Sequence, residues 1–185
     1  DWDGHVTKYT HDALGHATSR TEGFGTAQAR TITTTWDATY NVPTKIVEPN
    51  KTTDLTWNAS THRLDQRKET DTTSVAYPNG PKRIWNFTYT TDGLLATVDG
   101  PRLSPVVDVT TFGYNAQGAL TSVKNALNQT TSITSVNERG LPLSITDPNG
   151  VVTDLTYDAH GRLKSSIVHG SPDTVTRFYY DASGQ

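Results

Sequence analysis

Apolar and polar residues alternate along most of this chain with the period of a strand buried on one face. Val151, Thr153, Leu155 and Tyr157 alternate with Val152, Asp154 and Thr156. Shorter runs of the same kind occupy 95–98, 120–123 and 141–145, and Ile84-Trp85-Asn86-Phe87-Thr88-Tyr89 is the strongest strand candidate. No 15-residue window has good helical periodicity. The pattern predicts strands near 42–47, 52–57, 84–90, 107–114, 119–124, 130–136, 141–146, 151–157 and 174–181, with a threonine-rich candidate at 31–36.

The runs are punctuated by one recurring frame. It is clearest as Tyr157-Asp158-Ala159-His160-Gly161-Arg162-Leu163. It returns as Tyr180-Asp181-Ala182-Ser183-Gly184, Tyr114-Asn115-Ala116-Gln117-Gly118 and Tyr89-Thr90-Thr91-Asp92-Gly93. Looser copies start at Val136 (with Gly140), Trp57, Trp36 and His11. First residues fall at 11, 36, 57, 89, 114, 136, 157 and 180, so most intervals lie between 21 and 25. A period of that size marks a repeat architecture. The aromatic suits a half-buried pleated surface, Asp or Asn bonds its own backbone two residues on, and Gly supplies a positive φ. A second turn, Asp147-Pro148-Asn149-Gly150, follows in the clearest copy. Each unit is therefore a hairpin, and hairpins this small must stack side by side. The expected fold is all-β: tandem β-hairpin repeats of about 21–25 residues in a continuous curled antiparallel sheet, a single array of about seven repeats over 1–185. Trp36, Trp57, Tyr89, Tyr114, Tyr157 and Tyr180 are its expected anchors, mostly buried along one layer, with Gly93, Gly118, Gly140 and Gly161 at the turns.

The interval from 57 to 89 is the outlier. It holds a charged stretch, Asp65-Gln66-Arg67-Lys68-Glu69, and a turn cluster, Tyr77-Pro78-Asn79-Gly80-Pro81, which predict longer strands or a longer loop on one hairpin. Ser104-Pro105 marks another extended turn.

Composition agrees with strands. The chain has 33 threonines, eight Tyr, four Trp and four Phe, and threonine is poor in helix interiors. A net charge of −3 offers no electrostatic reason to expect nucleic acid. No run of 18 apolar residues is present to span a bilayer as a helix. Without Cys, disulfides and cysteine metal sites are excluded. A start at Asp1-Trp2-Asp3 with no Met, and a stop just past Gly184, give the expectation of a segment of a longer chain. Self-association through the β-prone edge at 174–179 is expected of such a segment.

The repeat frame resembles that of the YD-repeat, or RHS-repeat, family of large secreted bacterial proteins. The resemblance implies hairpins curled into a hollow shell, located outside the cell or at its surface. The implied partners are the rest of that shell and a C-terminal toxin domain enclosed or presented by it. Shell proteins of this family resemble Pro142-Leu143-Ser144-Ile145-Thr146-Asp147-Pro148-Asn149-Gly150-Val151 at their self-cleaving core, with Leu in place of Val151. Here Pro43 and Glu48-Pro49-Asn50 repeat the spacing one hundred residues earlier, so a turn is the simpler reading.

His5, His11, His16, His62, His160 and His169 form no ligand signature, and no nucleophile motif or calcium loop occurs. No catalytic, cofactor or metal residue is expected. The alternative function is a carbohydrate- or cell-surface-binding adhesion module, with Trp36 and Trp57 as stacking platforms; their place in the tyrosine register favours packing instead.

Overall fold

The structure is a computed structural model that describes residues 4–73, 82–102 and 108–181. All of its regular elements are strands. They are β1 (Lys8–His11), β2 (Ala17–Glu22), β3 (Arg30–Trp36), β4 (Pro43–Glu48), β5 (Lys51–Trp57), β6 (Leu64–Asp71) and β7 (Lys82–Tyr89). After β8 (Leu95–Asp99) come β9 (Val109–Tyr114), β10 (Leu120–Lys124), β11 (Thr130–Val136), β12 (Pro142–Thr146), β13 (Val152–Tyr157), β14 (Leu163–Val168) and β15 (Thr174–Arg177). Strand order follows chain order from β1 to β15, so the sheet is a run of sequential antiparallel hairpins.

All nine predicted strands are present. The last stops at Arg177 rather than 181, and the run predicted from 107 is a strand from Val109. The turn clusters at 77–81 and at Ser104-Pro105 lie outside the described residues, as do Trp2 and Gly184. The outlying interval carries longer strands, since β6 and β7 have eight residues each.

Chain contacts divide the molecule into two compact units, one holding β1–β7 and the other β9–β15. Within each unit the register sorts side chains onto two unlike faces. In the first, Ile32, Thr34 and Trp36 share a face with Ile46, Thr53, Leu55 and Trp57. The opposite face presents Thr10, Ser19, Thr31, Thr33, Thr35 and Thr52, with Thr21 and Thr31 bonded at 2.9 Å. In the second unit, Phe112, Val123 and Ile133 share a face with Ile145, Leu155 and Tyr157. Its other face carries Ser122, Ser132, Thr146, Thr156 and Ser165. The threonine excess therefore serves a hydroxyl-lined sheet surface.

Tyr180 is the anchor whose expected burial differs. Among the described residues no hydrophobic side chain is fully buried, and Thr53, 5 % exposed, is the one buried polar residue. Trp36, Trp57, Tyr89, Tyr114 and Tyr157 are half-buried, and Tyr180 is exposed. Within either unit the strands form one layer, and a single layer shields side chains only by their in-plane neighbours.

Candidate functional site

The anchors do their work through their polar tips. The Trp36 indole donates from Nε1 to the Ala17 carbonyl at 3.0 Å, and Trp57 donates to Pro43 at 2.8 Å. The hydroxyls of Tyr114, Tyr157 and Tyr180 donate to the carbonyls of Leu95, Pro142 and Leu163 at 2.9, 2.9 and 2.8 Å. Each acceptor is the first residue of the preceding even-numbered strand. Pro43 lies opposite Trp36, Pro142 opposite Val136 and Leu163 opposite Tyr157, so each ring ties its repeat to the residue facing the previous repeat's anchor position.

A bulge prepares this reach. Opposite the terminal residues of β1, β3, β5, β9, β11 and β13, the partner strand carries an extra second residue: Thr18, Thr44, Asp65, Thr121, Leu143 and Lys164. A bulge sharpens local twist and re-aims side chains.

The acid or amide after each anchor is spent on the backbone. In the turns starting at Asp12, Asn115, Asn125, Asn137, Asp147 and Asp158, Oδ1 accepts the N–H groups two and four residues on, at 2.8–3.0 Å. The fourth position is left-handed, at Gly15, Gly118, Asn128, Gly140, Gly150 and Gly161. Gly93 does the same in a turn where the Thr90 hydroxyl replaces the carboxylate. Asp147 is thus a turn acceptor for Asn149 and Val151. The Asp158 carboxyl is held below its ordinary range, first by the Arg162 backbone N–H and also by the Arg162 side chain at 2.8 Å.

Two turns depart from this form. From Asp37 to Val42 and from Asn58 to Arg63 the loop is one residue longer, and the left-handed positions are Asn41 (φ 56°) and His62 (φ 56°). The extra length brings the Tyr40 and His62 rings to 3.9 Å between centroids. Between these turns lies a notch of about 150 Å³ lined by Asp37, Tyr40, Val42, Trp57, Asn58 and His62. The equivalent notch between the 137–141 and 158–162 turns, about 450 Å³, lies over Tyr157 and is lined by Glu138, Arg139, Leu143 and Leu155. Arg139 spans it to the Ala159 carbonyl at 2.9 Å. Sequence reasoning missed Tyr40; the available signal was the extra residue after Asp37 and the absence of Gly from both loops.

His16 lies against the Trp36 ring at 4.8 Å and bonds Asp12 through Nδ1 at 2.9 Å. His169 faces two carboxylates, Asp154 on Nε2 at 2.8 Å and Asp173 on Nδ1 at 3.3 Å. Asp154 first, then Asp173, hold this imidazole above its ordinary pKa. Among the described residues no three His, Asp or Glu side chains are grouped to hold a metal ion.

Residues 136–174 match the RHS repeat family. No curated protein matches the chain. Among solved structures, TcdB2-TccC3-Cdc42 aligns with a TM-score of 0.64 at 16% identity, over 97% of this chain and 10% of that one. TcdB2-TccC3 without its hypervariable C-terminal region aligns at 0.66 with 14% identity, over 97% and 10%. A Tc holotoxin pore of Photorhabdus luminescens carrying a TccC3 mutation aligns at 0.64 with 15% identity, over 98% and 10%. This chain thus spans about a tenth of the length of the chains it matches. Residues 136–174 are thus similar to the RHS repeat, and the fold of the chain is one found within the TcdB2-TccC3 structures.

Proposed function

We propose that this chain is a non-catalytic stretch of a longer RHS-repeat shell, curled in that setting, which encloses or presents a C-terminal toxin domain of a secreted bacterial protein. The observation that carries the reading is the tie between repeats: five anchors donate the same hydrogen bond to the strand before them. A wall needs side chains spent on holding neighbours together, and here the anchors' polar tips are spent that way. The fold's occurrence inside chains about ten times longer supports a place within a larger wall. The aromatic tips bind backbone rather than face solvent in a row, which favours the wall over a carbohydrate-binding strip.

The test is protease protection in the full-length polypeptide. Removal of one repeat, residues 137–157, is expected to make any domain downstream of the repeats sensitive to a protease it otherwise resists. Equal sensitivity with and without the repeat would reject enclosure. The turn reading of Asp147 has its own check. Long incubation followed by mass spectrometry is expected to show no self-generated break between Thr146 and Val151, in either the native chain or Asp147→Ala.

A further inference from the structure

The 37–62 notch has lost the glycines and the arginine of its counterpart and gained rings. Tyr40 and His62 pack against each other at 3.9 Å, tilted by 36°, and the Trp57 ring lines the same space. A left-handed histidine is an uncommon choice where the other turns use glycine or asparagine. We propose that this notch is a binding site for an organic cation of the quaternary-ammonium class, taken by the ring faces of Tyr40, His62 and Trp57 and by the Asp37 carboxylate.

Three observations select that chemistry. The volume, about 150 Å³, is well below the roughly 300–1,000 Å³ of pockets for drug-sized ligands, so one compact head group fits and a peptide or oligosaccharide does not. Of the neutral polar side chains that line the notch, two are already spent and the Tyr40 hydroxyl and the His62 ring remain. Asn58 accepts from Ser60 and Thr61 at Oδ1 and donates to Asp65 at Nδ2, and the Trp57 N–H goes to Pro43. A sugar would find few partners for its hydroxyls, whereas a cation needs only π faces and a negative charge. That charge is present: the Thr39 N–H and then the Tyr40 N–H, both bonded to Oδ1 at 2.8 Å, hold the Asp37 carboxyl below its ordinary range and leave Oδ2 for a ligand. The same chain already places cations over rings, with Arg67 4.8 Å from Trp85 and Arg162 4.4 Å from Tyr180. The site does not depend on the shell reading.

Choline chloride is the probe, added to the ¹⁵N-labelled chain at pH 8, above the usual titration range of imidazole, against equal sodium chloride. Saturable shifts confined to amides of residues 37–63 are expected. Asp37→Asn keeps the turn acceptor and Tyr40→Ala removes a half-exposed ring, so both variants should fold. Each is expected to weaken binding by roughly tenfold, as is the uncharged isostere 3,3-dimethylbutanol. No saturable shift, equal binding by both variants, or equal binding of the isostere overturns the proposal. Co-sedimentation with phosphatidylcholine vesicles separates two sources of the same head group. Retention that choline competes away assigns a lipid, and choline binding without retention assigns a free cation.

Discussion

A tyrosine anchor does two separable jobs, its ring covering apolar surface and its hydroxyl satisfying a carbonyl. Tyr157→Phe removes only the bond to Pro142 and is expected to cost about 1 kcal/mol. Tyr157→Ala also removes half-buried ring area and is expected to cost about 2–3 kcal/mol, less than a full core truncation. Urea denaturation measures both, and equal costs would mean the ring contributes nothing. A neutral imidazole has one N–H, so His169 can donate to both Asp154 and Asp173 only when protonated. Its raised pKa makes this contribution complete below the unfolded imidazole value and lost as pH rises through the folded one. Asp154, lowered first by His169 and also by Ser144, and Asp173, lowered first by the Gly170 N–H, contribute above the usual carboxylate range and lose it as pH falls through their lowered values. The clamp is therefore expected between those two limits. NMR titration should find His169 titrating at a higher pH than in Asp154→Asn, and identical curves would deny the clamp.

At the scale of single elements, legibility depended on where apolar residues had to alternate. The anchor-bearing strands β5, β9 and β13 were plain because their inward positions pack against neighbours. The charged stretch at β6 fits a longer strand or a longer loop from the sequence alone, because its charges are satisfied sideways. Lys68 meets Asp54 at 2.9 Å, Lys51 meets Glu69 at 3.4 Å, and Arg67 covers Trp85. That complementarity lies between strands and is visible only once the register is known. Strands β1, β2 and β14 were not predicted, since polar runs such as Arg20-Thr21-Glu22 and Lys164-Ser165-Ser166 carry no apolar alternation. The absence of a second layer keeps the anchors from full burial and leaves Tyr180 exposed. The turns with glycine in the fourth position were legible to the residue, while the longer loops at 37–42 and 58–63 were not. At Gly118 an added Cβ would meet Leu94 Cδ1 at 3.5 Å, an ordinary contact, so the cost of Gly118→Ala is the backbone's alone. At φ 80° that cost is expected to be about 1–2 kcal/mol. Asn128→Gly, at a left-handed position already held by an amide-bearing residue, is expected to change stability by less than about 0.5 kcal/mol. Thermal melts of the two variants should separate by several degrees.

Across the whole molecule, protection is expected to follow depth within the sheet. Amide hydrogen exchange should be fastest in β1 and β15, whose residues are all exposed, and slowest around Thr53 in β5. Uniform exchange along the chain would contradict a sheet held only by adjacent strands. Because strand order copies chain order, no strand waits for a partner from a distant part of the sequence. Loop closure is cheap at every step, the condition under which chains fold quickly. A ribosome or an export channel releases residues in this same order, so each hairpin can lock onto the one made just before it. The ring that arrives at the end of β3, β5, β9 or β13 then works as a ratchet pawl, set in passage, against slipping back.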